Sequence, residues 1–466
     1  MLARYRMVCT ECEGVFGDIG TSCPICGAML RVEYSSELTI AERNDMWRYM
    51  SRLPISDEKP ISLGEGWTPL IDAERLARRI GVRRILLKDE TRNPTGSFVD
   101  RGVSVEITKI VGRNASIVCP TLGDTGASIA AYSARAGVKS IIYAPRDTNV
   151  GKLYQMLLCG AEVRIVSSYE VAVEEALRHR RESRIFSETS PYYLEGLKTI
   201  AFEIAEQMGW TIPDAVIVPM GTGALISMIY KGFRELFELG IIREIPRLVG
   251  VQASAADIIV RMFEGEKPRS LSGTLAVDLC VDRPSMGEIA VRSIRKSGGI
   301  AISVDDSDIL EAIKLLASTE GIISSPSGAV AVAAIGRLLE EYLSSDETLV
   351  AIVTGSGMKT IDALSSLIPL GEISGRLVGT AHYRARKFGP TKLLILKILS
   401  RGPIHGYGIR KKLKELYGLS LSLPTVYQHL RELEESGAVS RIERRHGRRK
   451  SYYYVLTDEG RRLVEA

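Results

Sequence analysis

Seven short runs of β-branched and aliphatic residues recur between about Leu63 and Leu370, with helical stretches separating them. They are Ile85–Leu87, Ser116–Val118, Ser140–Tyr143, Glu162–Val166, Ala215–Val218, Leu248–Val251 and Leu349–Val353. Strands this continuously apolar need cover on both faces, which alternating helices supply around a parallel sheet. The pattern therefore predicts an α/β body. Three glycine-rich turns follow strands and open helices: Thr121–Ser128, Pro219–Ala224 and Thr354–Gly357. At such carboxyl ends, backbone N–H groups and the helix dipole face outward and favour a phosphate or carboxylate ligand.

The chain has 466 residues, room for a large body and accessory modules at roughly 100–200 residues per domain. With 45% hydrophobic and 25% charged residues it is neither disordered nor fibrous. No apolar run approaches the roughly 20 residues of a membrane helix, and Met1–Met7 offers no stretch for a signal peptide. A cytoplasmic location without membrane attachment is expected. Charge is unevenly placed: residues 384–466 hold 19 Lys and Arg against 8 Asp and Glu, a net of +11, leaving −6 for the first 383 residues. A basic module on a mildly acidic body points to a polyanionic partner for the module.

Cys9, Cys12, Cys23 and Cys26 form two CxxC pairs ten residues apart. Paired thiolates on two tight turns complete a tetrahedral structural zinc site, closed to catalysis. A leader of about 30 residues is too small for a core of its own, so metal binding supplies its folding energy. Cys119, Cys159 and Cys280 stand singly in apolar surroundings and read as core residues.

Leu63-Gly64-Glu65-Gly66-Trp67-Thr68-Pro69-Leu70, Lys88-Asp89-Glu90 and the stretch from Asn93 through Ser97-Phe98 to Asp100-Arg101-Gly102 resemble threonine synthase and its relatives among the fold-type-II pyridoxal phosphate (PLP) enzymes. Asp124 to Gly137, the turn at Gly221 and the strand ending at Thr354 resemble that family's later motifs, in order, and the CxxC pairs resemble the zinc-binding leader of some members. The resemblance covers roughly residues 5 to 370. It implies a two-lobed parallel-sheet body, a homodimer, and a ligand pocket in which Ser97, Asp124, Gly221, Thr222, Gly223 and Thr354 take part.

One position departs from the family. Between Phe98 and Asp100 the family carries the lysine that holds PLP as a Schiff base, and here the residue is Val99. An isopropyl group supplies neither the amine nor the base. The family's asparagine facing the cofactor's phenolic oxygen corresponds to Asp124, whose carboxylate would repel a phenolate. Gly221, Thr222 and Gly223 match much of the phosphate turn, and Thr354 matches the hydroxyl residue facing the pyridine nitrogen. Lys88 and Lys359 are the candidates for a substitute lysine.

From about Arg384 the character changes. Thr391–Ser400 reads as an apolar helix broken by Gly402-Pro403, a second helix runs from about Gly406 to Tyr417, and Ser422 caps a third with Leu423, Val426, Tyr427, Leu430 and Leu433 on one face. Two β-rich runs, Ala438–Arg445 and Lys450–Leu456, joined by His446-Gly447-Arg448-Arg449, read as a wing with a basic tip, and a final helix begins near Thr457. The segment resembles the PadR family of winged-helix transcription regulators through Gly402–Tyr407, Thr425-Val426-Tyr427, Leu433–Gly437 and Tyr454–Thr457. Double-stranded DNA is the implied partner: Thr425 and Gln428 reach base edges, while Arg444, Arg445, Arg448, Arg449 and Lys450 meet phosphates or the minor groove.

The expected organisation is a zinc ribbon at 1–35, a threonine-synthase-like domain at 36–383 and a winged-helix domain at 384–466. The expected function is transcription regulation, with a disabled enzyme body sensing an amino acid, a phospho-amino acid or PLP. The phosphate turn favours a phosphorylated ligand. The alternative is an active PLP-dependent synthase or lyase using a substitute lysine, with an autoregulatory tail.

Overall fold

Strands β5 (Arg84–Asp89), β10 (Ala215–Pro219) and β13 (Thr348–Val353) are buried along almost their whole length, as unbroken apolar runs require. They lie inside a six-stranded sheet completed by β4 (Leu70–Asp72), β11 (Arg247–Ala253) and β12 (Ala301–Val304), in the order β12-β11-β10-β13-β5-β4. All pairs are parallel except β4 with β5, where Ile71 stands opposite Leu87. A second sheet, wholly parallel, has the order β8-β7-β6-β9 from β6 (Ser116–Pro120), β7 (Ser140–Pro145), β8 (Glu162–Val166) and β9 (Ser183–Ile185). These are the two lobes of a fold-type-II body. The computed structural model describes residues 5–111, 116–180, 182–267, 269–361, 390–417, 419, 421–446 and 449–465.

The strand period of two divides the larger core. Ile85, Leu87, Ile217, Val249, Leu349 and Ala351 point to one face, under the helices Asp306–Glu320 and Pro326–Ala333. Leu86, Val216, Val218, Leu248, Val350 and Ile352 point to the other, under Thr199–Gln207 and Ala224–Glu238.

The leader is a three-stranded antiparallel sheet, β2-β1-β3, from β1 (Tyr5–Cys9), β2 (Val15–Phe16) and β3 (Leu30–Tyr34). It belongs to the same compact unit as the body, residues 1–367. The Tyr34 hydroxyl donates to Glu195 at 2.9 Å, Lys231 Nζ donates to the Val32 carbonyl at 2.7 Å, and Lys109 pairs with Asp18 at 2.6 Å.

The second compact unit is 368–466. Helices Pro390–Leu399, Gly406–Tyr417 and Leu423–Glu435 close around Leu396, Ile409, Leu413, Val426, Leu430 and Leu433. An antiparallel hairpin follows, β14 (Val439–His446) with β15 (Arg449–Leu456), and a bridge from Ile404 to Tyr454 adds a short third member. The helix Asp458–Glu465 ends the module. The expected 383/384 boundary lies outside the described residues. Among the described residues no helix is long and apolar enough to cross a membrane.

Candidate functional site

The carboxyl ends of β6, β10 and β13 open on one cavity of about 970 Å³. All six residues expected of a ligand pocket line it: Ser97, Asp124, Gly221, Thr222, Gly223 and Thr354. Gly223 has φ of +87° and opens the helix Ala224–Glu238, and a Cβ there would meet the Met286 carbonyl at 2.9 Å. Packing of the backbone alone thus requires this glycine. Thr354 is buried at the end of β13, and its carbonyl accepts from the Phe98 N–H at 3.1 Å.

Val99 begins the helix Val99–Ile110 and is 4% exposed. Its side chain belongs to an apolar cluster with Val103, Cys119, Tyr193 and Met228, and it forms part of the cavity wall. Lys88 is not among the residues that line this wall. It is fully buried, donating to the Thr68 carbonyl at 2.8 Å, Glu203 at 2.7 Å and Gln207 at 3.0 Å, an arrangement that leaves no proton for a ligand.

Asp124 lies between two ammonium groups. Lys152 Nζ is 3.1 Å and Lys359 Nζ 3.0 Å from its Oδ1, both as ion pairs not aligned for a hydrogen bond. Lys152 also donates to Asp278 at 2.5 Å. Burial pushes the Asp124 carboxyl up, but Lys152 and Lys359 outweigh it and hold the group well below the usual carboxylate range. The carboxylate is therefore ionised and its charge is answered from within the protein. Lys152 was not foreseen in the sequence. The local signal is Gly123, with φ of +144°, where a Cβ would meet Lys152 Cδ at 2.5 Å. Glu188, which follows β9, was also not foreseen on the cavity wall.

Near this wall the amines of Lys152 and Lys359 are both engaged with carboxylates, and position 99 has none. Val99 itself therefore offers no amine to hold PLP as a Schiff base.

The four leader cysteines come together. Their sulfurs all lie within 4.8 Å of one another, with Cys9 to Cys26 at 3.4 Å and Cys12 to Cys23 at 3.6 Å. Four sulfurs at about 2.3 Å from a tetrahedral zinc stand about 3.8 Å apart, so the cluster matches the donor set and size of such a site.

In the second unit, Ser422 caps the helix Leu423–Glu435 by accepting from the Thr425 N–H at 3.3 Å. The Ser422 and Thr425 hydroxyls are 2.7 Å apart, and Gln428, exposed, donates to Glu432 at 3.2 Å. Tyr427 is 45% exposed and lies against Gly406, not within the apolar face as expected. The hairpin register sets Arg444 opposite Ser451, Arg445 opposite Lys450 and His446 opposite Arg449. Arg448 lies outside the described residues.

A mostly parallel sheet and a wholly parallel one with their carboxyl ends around one cavity, and a separate helix-turn-helix with a wing, define an α/β body joined to a winged-helix module. The family described as "Pyridoxal-phosphate dependent enzyme" matches residues 61–355, and the "Transcriptional regulator PadR-like family" matches 395–466. The chain belongs to the pyridoxal-phosphate dependent enzyme family, with a PadR-like domain at its C-terminal side. Threonine synthase of Methanocaldococcus jannaschii is 39% identical over 72% of this chain and 88% of its own length. Threonine synthase of Methanosarcina acetivorans is 36% identical over 76% and 92%. The processed form of threonine deaminase isoform 2 from Solanum lycopersicum has a TM-score of 0.57 at 22% identity, over 72% of this chain and 97% of that one, a likeness of fold.

Proposed function

We propose that this chain is a DNA-binding transcription regulator whose threonine-synthase-like body has lost covalent PLP chemistry and senses a small metabolite. The observation that carries the reading is Val99, an apolar side chain buried in the cavity wall at the family's lysine position. Without an amine there, the cavity binds and does not convert. The winged-helix module supplies the output: its helix Leu423–Glu435 takes the major groove through Thr425 and Gln428, and Arg444, Arg445, Arg448, Arg449 and Lys450 take the backbone. Sensing then means that the ligand binds DNA-competent and incompetent arrangements with different affinity, typically by about 1–3 kcal/mol. The four-cysteine cluster is read as a structural zinc site, and the regulator as a cytoplasmic homodimer addressing paired half-sites. A zinc ribbon, a body and a reader module, near 1–35, 36–383 and 384–466, remain the proposed division.

One observation favours a second reading, an active PLP-dependent synthase or lyase. Lys359 Nζ stands 3.0 Å from Asp124, a cavity-lining residue, and is the amine best placed to substitute for position 99. Incubation with PLP, borohydride reduction and intact-mass measurement separates the two. The sensor reading expects no fixed adduct. An adduct mapped to Lys359 or Lys152, with turnover of O-phosphohomoserine, serine or threonine, establishes the enzyme instead.

A further inference from the structure

Beside the cavity, charged side chains of alternating sign form a chain. Lys359 Nζ stands 3.0 Å from Asp124 Oδ1, Lys152 Nζ stands 3.1 Å from the same oxygen, and Lys152 donates to Asp278 Oδ1 at 2.5 Å. The Ser327 hydroxyl donates to Asp278 Oδ2 at 3.3 Å and ends the series. Both lysines are buried and both aspartates partly buried, so bulk salt screens these pairs little. Burial pushes the Lys152 ammonium down, but Asp124 and Asp278 outweigh it and hold the group above its usual range.

The charges belong to different lobes. Asp124 opens the helix Asp124–Ala136 after β6, and Lys152 sits on the helix Val150–Leu158 after β7, both of the smaller lobe. Lys359 follows β13, and Asp278 lies between β11 and β12, both of the larger lobe. Ser327 is on the helix Pro326–Ala333, which covers the larger sheet. The Lys359–Asp124 and Lys152–Asp278 pairs thus both cross from lobe to lobe, in opposite senses of charge, and Lys152–Asp124 joins them within the smaller lobe. The backbones meet at the same place. A Cβ at Gly151 would collide with the Lys359 carbonyl, so the first turn of Val150–Leu158 packs directly on the segment after β13. Drawing the lobes apart breaks both crossing pairs at once and takes from Lys359 its one ion-pair partner among the described residues.

We propose that this chain of charges is a latch that holds the two lobes together over the cavity with no ligand present, and that Asp124 is its central member. Asp124 lines the cavity, yet its carboxylate is committed to the latch. An amide at this position would leave two ammonium groups at the lobe boundary with the Asp278 carboxylate alone to answer both. The latch is independent of whether the cavity senses or converts its ligand.

Hydrogen–deuterium exchange of the full-length protein without ligand tests it. Amides at the starts of Asp124–Ala136 and Val150–Leu158 report from the smaller lobe, and those of Thr354–Lys359 from the larger. Asp124→Asn is expected to speed exchange at all three places by roughly tenfold or more, through more frequent opening, and Asp278→Asn to do the same from the other end of the chain. Adding Lys359→Met to Asp124→Asn removes the stranded cation, so the double variant is expected to exchange no faster than Asp124→Asn alone. Acceleration confined to the segment that carries the substitution, no acceleration at all, or simple addition of the two effects in the double variant overturns the latch. If Asp124→Asn fails to fold, Asp278→Asn decides: its substitution lies in none of the three reporting segments, and exchange must rise in both lobes together.

Discussion

Arg101 gives the stretch around Val99 a structural duty of its own. It is fully buried, pairing with Glu90 at 2.7 Å and Glu203 at 2.6 Å, and Lys88 pairs with Glu203 at 2.7 Å. One residue earlier, Asp100 accepts from the Thr95 N–H at 2.7 Å and from the Thr95 and Ser128 hydroxyls at 2.6 Å. Residues flanking Val99 thus anchor the first helix of the smaller lobe, and that duty does not depend on chemistry at position 99. Arg101→Met strands Glu90 and Glu203 without their partner and is expected to cost roughly 3–5 kcal/mol, read by urea unfolding. Burial pushes the Glu203 carboxyl up, but Arg101 and Lys88 outweigh it and bring it down to about 2. With the folded value depressed, this stabilisation is complete above the ordinary glutamate range near 4.5 and fades as pH falls toward 2. Glu203→Gln should flatten the pH dependence of stability in that window; an unchanged acid limb would show that other carboxylates set it.

The wing is the element whose register makes a quantitative demand. The backbone register pairs position 445 with position 450, so Arg445 and Lys450 belong to one step of the hairpin that the proposed function sets against the DNA backbone. Arg445→Ala with Lys450→Ala is expected to lower the slope of log affinity against log salt by about two, uniformly across sequences. A gel-shift series with an unchanged slope would remove these residues from the interface. The same scale shows what was legible beforehand. All seven apolar runs are strands, because continuous hydrophobicity closed by a turn leaves the backbone few alternatives. Strands β4, β9 and β12 have only three or four residues and no such pattern, and they are added by pairing with longer neighbours. The glycine turns located the cavity. Glu188 lines it from the loop beyond β9 and Lys152 meets its Asp124 from the helix beyond β7, and nothing local in the chain marks that convergence.

At the scale of the molecule the leader is tied into the body through Lys109, Tyr34 and Lys231, so a metal held by its four cysteines would act beyond its own sheet. Stripping zinc with a strong chelator is expected to lower the melting temperature of the first unit, with the winged-helix transition unmoved in calorimetry. Coincident loss of both, or no shift at all, would contradict a structural metal confined to the leader. The path of the chain out of the body carries a further implication. After β13, the segment from Thr354 to Lys359 lies beside the cavity: the Ser356 N–H donates to the Gly96 carbonyl at 2.8 Å, and Lys359 rests on Asp124. Ile361 is the last described residue before the connector. The wall of the cavity and the last described residues of the first unit are thus one piece of polypeptide, so a displacement of that wall is also a displacement of the backbone that leads out of the sheet.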